Sequence, residues 1–212
     1  NSFEVQVEQF EIINGTKEEL PIEINSEKLN VNLDTMLNNR VLSLRHERIN
    51  SIFKIQNLIV EGFREYLTSQ GFIEIFTPKI VSEGAEGGTE IFEVKYFENK
   101  AYLAQSPQFY KQMMVGAGFE RVFEIAHVYR AEQHNTNRHL NEYVSMDLEM
   151  GFIEDENQVM NLEEELLKYI LSKISLKGKK YLSILEMEIP QINSTIPRMK
   201  LSEAIEILKN KY

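Results

Sequence analysis

Residues 143–150 alternate without a break, with Tyr143, Ser145, Asp147 and Glu149 on one beat and Val144, Met146, Leu148 and Met150 on the other. A strand sends successive side chains to opposite faces, so this spacing predicts a strand with one apolar face and one polar face. Upstream, residues 121–132 offer a partner in which Glu124, Ala126, Val128, Arg130 and Glu132 share a face. The polar stretch 133–141 joins the two, which predicts a hairpin with one densely ionisable surface. An ordinary solvated sheet face usually carries Thr, Lys and Ser, and can carry these charges too. An aromatic, two acids and an Arg-x-Glu pair on one hairpin read more like a ligand floor.

The remaining segments alternate irregularly between helical and extended patterns. Residues 1–13 alternate and read as a strand, followed by the turn signal Asn14-Gly15. The polar stretch 16–39 reads as a linker wrapping a surface. Between 47 and 70, Ile49, Ile52, Phe53, Ile59, Phe63, Tyr66 and Leu67 recur at three- and four-residue steps, predicting a long amphipathic helix closed by Gly71. Residues 72–78 then read as a strand ending at Pro78. Short strands are expected at 91–94 and 101–104 around a turn at Glu98-Asn99. A helix opens after them, with Ser106 as its cap and Pro107 at its first position. Asp155 caps a further helix to about Ile174, and the tail shows a possible strand near 198–200 and a helix over 202–210. Helices mixed with hairpins, with no regular βαβ alternation, give an α+β fold with an antiparallel sheet flanked by helices.

Composition narrows the function classes. The net charge is −10, from 33 acids against 23 Lys and Arg, which argues against a stand-alone nucleic-acid module held by phosphate neutralisation. Cysteine is absent, so disulfides and thiolate metal sites are excluded. No apolar run of membrane-spanning length occurs, and the first residues lack a signal-peptide layout. A cytoplasmic protein is the expectation. The glycine-rich stretch 81–89, with Glu83 and Glu86, lacks the Lys-Ser/Thr ending of a phosphate loop and reads as a mobile loop.

Each candidate residue has an ordinary reading as well as a functional one. Arg130 and Glu132 can form a surface pair worth under about 1 kcal/mol. His134 and His139 lie five apart, but no acid or thiol cluster completes a metal site. Asp147 and Glu149 stand about 6–7 Å apart on a strand, which permits acid–base work without singling it out. Lys111 falls on the second turn of its helix, where a lysine is usually solvent-exposed.

The conjunction is more specific than its parts. A helix and strand ending at Thr77-Pro78, then Gln105-Ser106-Pro107-Gln108-Phe109-Tyr110-Lys111, Tyr129-Arg130-Ala131-Glu132, Arg138-His139-Leu140-Asn141-Glu142 and Asp147-Leu148-Glu149 resemble the aspartyl-tRNA synthetases, in the archaeal-type branch of the class II fold. The resemblance runs from about residue 1 to 212. It implies that 1–14 is the last strand of an anticodon-binding barrel, 15–46 a linker, and 47–212 the N-terminal portion of a class II catalytic domain. It also implies a homodimer through residues 47–78, the family's first motif.

The same resemblance implies a reaction: aspartate is activated by ATP as aspartyl-adenylate and then passed to tRNA. ATP would be held by Arg130, Glu132, Arg138, His139, Leu140 and Tyr143, with Arg130 gripping the α-phosphate. Aspartate would be held by Glu86, Gln108, Lys111, Arg130 and Asp147, with Glu86 and Asp147 on the ammonium and Lys111 on the side-chain carboxylate. Asparagine presents a neutral amide there, and asparaginyl relatives do not keep the Gln-Ser-Pro-Gln-x-x-Lys pattern. The third class II motif and the acidic segment that holds Mg2+ find no match in 1–212, so the magnesium ligands are expected downstream of Tyr212. A portion of this kind implies weak activity alone and an unpaired sheet edge. Two other readings fit parts of the pattern: an asparagine synthetase-like enzyme that activates aspartate, and a non-catalytic paralogue that binds aspartate or nucleotide.

Overall fold

The computed structural model describes residues 4–26, 28–84, 91–134, 136, 139–192 and 194–211. The predicted hairpin is its centre. Strand β5 (Arg121–Tyr129) pairs antiparallel with β6 (Glu142–Met150) over nine residues, from Arg121 opposite Met150 to Tyr129 opposite Glu142. This register sets Glu124 opposite Asp147 and Ala126 opposite Ser145, so the two polar sets share one face. Phe123, Ile125, Leu148 and Met150 point the other way, into the core.

Two long helices cover that apolar face. Helix α3 (Glu47–Ser69) and helix α5 (Glu156–Lys177) pack through Leu58, Phe63, Leu67, Leu166, Ile170 and Ile174. Phe63 meets Phe123 edge-on, with ring centroids 5.9 Å apart, a geometry that adds to the area both rings bury. Gly62 lets the helices approach closely, since a Cβ there would lie 3.1 Å from Ile170 Cγ1. The helical layer also holds charge. Lys173 is buried on α5, yet its ammonium stands 2.6 Å from Glu65 and 3.3 Å from Glu61 across the interface. Burial opposes the charged lysine, but the two carboxylates outweigh it and its pKa is raised.

Both helices end where local chemistry requires. Phe72 N–H returns to Leu67 O at 3.0 Å, with Gly71 at φ +80° completing the left-handed cap of α3. Asp155 caps α5 by accepting from Asn157 N. The helix runs three residues beyond the predicted Ile174 and stops at Gly178, where a Cβ would fall 2.6 Å from Ile174 O. Helix α6 (Lys179–Leu185) follows directly. The cap of α3 is unusual: His46 Nδ1 accepts from Arg48 N, and its Nε2 donates to Ser26 O at 2.9 Å. That bond ties down the segment around buried Ile22.

Strand β1 (Ile73–Glu74) joins β5 in parallel, so the sheet order is β1-β5-β6 and the antiparallel hairpin carries one parallel edge. The extended run predicted over 72–78 pairs for only two residues. Ile75 N still reaches Phe123 O, but Thr77 N turns instead to the Glu124 carboxylate, which ends the ladder. A second sheet contains β2 (Ile80–Val81), β3 (Glu93–Tyr96) and β4 (Asn99–Leu103) in the order β2-β4-β3. Its turn is Phe97-Glu98, one residue earlier than the sequence suggests, with Phe97 at φ +53°. Among the described residues β6 pairs on one side only.

Two strand expectations fail. Residues 4–13 form no strand, and Val5, Val7, Phe10, Ile12 and Ile13 are exposed. Alternation gives a strand its faces but not its ladder partner, and the described residues supply none. Residues 198–200 are likewise unpaired, and helix α7 (Leu201–Lys211) follows directly. The segment read as linker contains two short helices, α1 (Leu33–Asn38), capped by Asn32, and α2 (Arg40–Ser43).

Candidate active site

Helix α4 (Gln108–Met114) lies over the polar face of the hairpin. Gln108 rather than Pro107 is the first helical residue and Pro107 rather than Ser106 takes the cap position, while Ser106 Oγ, one residue earlier, accepts from Gln108 N at 3.3 Å. One turn on, Lys111 is buried, contrary to the solvent-exposed position expected of a second-turn lysine. The reason is at its tip. Lys111 Nζ donates to Asp147 Oδ1 at 3.1 Å and to Leu148 O at 3.3 Å, and stands 3.6 Å from Glu149 Oε2. A lysine this deep is stable only when paired, and the strand presents both carboxylates to it.

The floor is braced on its other strand. Glu124, opposite Asp147, is buried and accepts from Thr77 N at 2.6 Å, Thr77 Oγ1 at 2.8 Å and Lys79 Nζ at 2.9 Å. Those three bonds fasten the chain around Pro78 to the sheet. Tyr129 N donates to Ala104 O, and Ala104 N to Lys79 O, tying the smaller sheet to the same strand end. Asp147 itself is held twice, by Lys111 on Oδ1 and by the Ser145 hydroxyl on Oδ2.

At the loop end of the hairpin, Arg130 N donates to Asn141 O at 3.0 Å and Glu132 N to Arg130 O at 2.8 Å, both side chains half-buried. Tyr143 lies opposite Val128, also half-buried. His139 and Leu140 are exposed, and His139 Nδ1 meets Thr136 Oγ1 at 2.6 Å. Its ring sits 5.2 Å from that of His134. Gln108 is half-buried three residues before Lys111 on the same helical face. Glu86 and Arg138 lie outside the described residues.

Lys111, Asp147 and Glu149 therefore converge, with Arg130 and Tyr143 further along the same floor. A cavity of about 900 Å³ lies elsewhere, at the foot of α3 between Ser26, Lys28, His46 and Glu186. It touches none of these groups, although Lys28, Arg45, Glu47, Arg48 and Glu186 also bring charge to it. Two contributors escaped the sequence reading of the site, where Glu149 was weighed only as an acid–base partner of Asp147. Ser145 belongs to the polar alternation and carried that signal. Lys79 carried none, because only the folded path of residues 77–79 brings it to Glu124.

The family model for class II tRNA synthetases (D, K and N) matches residues 32–211. The chain belongs to the class II tRNA synthetases. An aspartate–tRNA(Asp/Asn) ligase of Deinococcus radiodurans is 50% identical over 210 residues, which are 99% of this chain and 48% of that relative. An aspartate–tRNA(Asp) ligase of Pyrococcus abyssi is 48% identical over 208 residues, 98% of this chain and 47% of its own length. The chain spans about half the length of the curated relatives it matches. Among solved structures, the asparaginyl-tRNA synthetase of Pyrococcus horikoshii complexed with asparaginyl-adenylate superposes with a TM-score of 0.86 at 33% identity, covering 98% of this chain and 48% of that one. The aspartyl-tRNA synthetase of Entamoeba histolytica gives 0.73 at 34% identity, covering 93% of this chain and 36% of that one. The class II fold read from the motifs is thus found in the structure. No helix among the described residues is long and apolar enough to cross a membrane.

Proposed function

We propose that this chain forms the aspartate-activating floor of a cytoplasmic aspartate–tRNA ligase. The observation that carries the reading is Lys111, a buried cation on the polar face of the hairpin, in a chain half identical to aspartate ligases. An α-carboxylate oxygen of aspartate attacks the α-phosphorus of ATP, the bond to the β-phosphate bridging oxygen breaks, and pyrophosphate leaves. A hydroxyl of the terminal tRNA ribose then attacks the aspartyl carbonyl and AMP departs. Neither step needs covalent chemistry from the protein; positioning and charge stabilisation suffice.

The roles follow the floor. Arg130 grips the α-phosphate and the reacting carboxylate with its planar fork, which a lysine cannot copy. Glu132 accepts from the adenine amino group, Tyr143 offers an aromatic face, and Arg138, His139 and Leu140 border the ATP. Glu86 takes the substrate ammonium, with Gln108 beside it. Asp147 joins Glu86 at the ammonium and, through the bonds its two oxygens accept from Lys111 and Ser145, also holds Lys111 in place. Lys111 pairs with the side-chain carboxylate; an asparagine amide would leave that desolvated ammonium without an anion, which gives selectivity. Among the described residues no group of three or more His, Cys, Asp or Glu is placed to hold a metal ion. Self-association would use residues 47–78, where Ile52, Phe53, Ile73 and Phe76 remain exposed.

The test is ATP–pyrophosphate exchange in a protein carrying this chain at the full length of its relatives, with aspartate and asparagine in parallel. Exchange with aspartate supports the reading. Exchange with asparagine alone would assign the site to the amide, as in the P. horikoshii structure.

A further inference from the structure

We infer that Ser145 is a positioning residue of this pocket, whose hydroxyl fixes the Asp147 carboxylate so that its other oxygen meets Lys111. The inference rests on the reading of the groove as the aspartate site. Ser145 and Asp147 lie two apart on β6, on the same face. Side chains so spaced stand about 6–7 Å apart at their bases, so the Ser145 Oγ–H to Asp147 Oδ2 bond requires the carboxylate to lean along the strand. The terminal torsion of an aspartate is broad, and this bond selects one orientation from it. The orientation selected leaves Oδ1 at 3.1 Å from Lys111 Nζ.

The surroundings leave the serine to this task. Its cross-strand neighbour is Ala126, whose methyl offers no competing hydrogen bond. Lys111 has a second carboxylate within reach, Glu149 at 3.6 Å. If Asp147 turned away, the ammonium would follow the remaining carboxylate and leave the place where the substrate carboxylate is met. Ser145 thus acts on the substrate through Asp147 and Lys111, without touching it.

The experiment is a mutant cycle in the full-length protein. Ser145→Ala raises the KM for aspartate in ATP–pyrophosphate exchange about tenfold and leaves the KM for ATP within about twofold. Ser145→Thr keeps a hydroxyl on the same carbon and returns the aspartate KM to within about threefold of wild type. In an Asp147→Asn background, where calorimetric aspartate binding replaces a slow exchange assay, Ser145→Ala has no further effect. An unchanged aspartate KM in folded Ser145→Ala protein overturns the inference, and so does an undiminished loss in the Asp147→Asn background. Either result leaves the proposed function standing. Wild-type exchange that ignores aspartate brings down the functional reading itself.

Discussion

The two faces of the β5–β6 hairpin come from the same residues taken alternately, and they are held in opposite ways. The inner face packs Phe123, Ile125, Leu148 and Met150 against α3 and α5 with no directional bond among them. The outer face has Glu124 clasped by Thr77 and Lys79, and Asp147 clasped by Ser145 and Lys111. The first depends on volume and tolerates apolar exchange. The second depends on pairing, and a lost partner leaves a charge stranded in a desolvated place. One alternating sequence thus supplies both a stability element and a chemical one, separated by the thickness of a strand.

Breaking the inner face should have the largest effect on stability. Phe123→Ala removes a fully buried ring from between the helices and should cost about 3–5 kcal/mol in chemical denaturation; a loss under about 1 kcal/mol would show that the helices do not depend on this face. The outer face is probed by Glu124→Gln, which keeps the shape and removes the charge that accepts three bonds. It should cost about 1–3 kcal/mol and free the segment around Pro78, visible as faster amide exchange at Thr77.

The helical layer behind the inner face adds an acid sensitivity. Glu164 has its pKa held below the ordinary 4.5 by Lys168, with help from Ile196 N–H and Arg198. Glu65 is lowered by Lys173 and then Tyr169, and Glu61 by Asn57 and then Lys173. A lowered folded-state pKa contributes stability that is fully present above the unfolded value and lost as pH falls through the folded one. Denaturation midpoints should therefore be flat above about pH 4.5 and fall below it, a drop that Lys173→Met should reduce. The smallest effect is expected at the surface: Arg64→Ala, which removes the 3.0 Å pair with Glu74, should cost under about 1 kcal/mol and less still at high salt.

How much of this was legible in the sequence differs by element. The hairpin, the bounds of α3 to within one residue and the Asp155 cap could be read because period, cap and glycine stop agree locally. The strand expected at 1–13 was misread over 4–13 because a period of two is necessary for a strand but its partner is a tertiary fact. The His46 cap was not legible, since the bond that recruits His46 runs to Ser26, twenty residues away. In the site, Lys111 and Asp147 were singled out through a family pattern, but the bond between them was not, and Lys111 was expected at the surface. Burial of a lysine is decided by what faces it, and here that is a strand thirty-six residues later.

The most direct test concerns Lys111 as the selective cation of the outer face. In the full-length protein, the ratio of kcat/KM for aspartate over asparagine should be measured in wild type and in Lys111→Ala. The ratio should fall at least about tenfold while the KM for ATP stays within about twofold. An unchanged ratio would place selectivity elsewhere and reduce the Lys111 cluster to a structural ion pair.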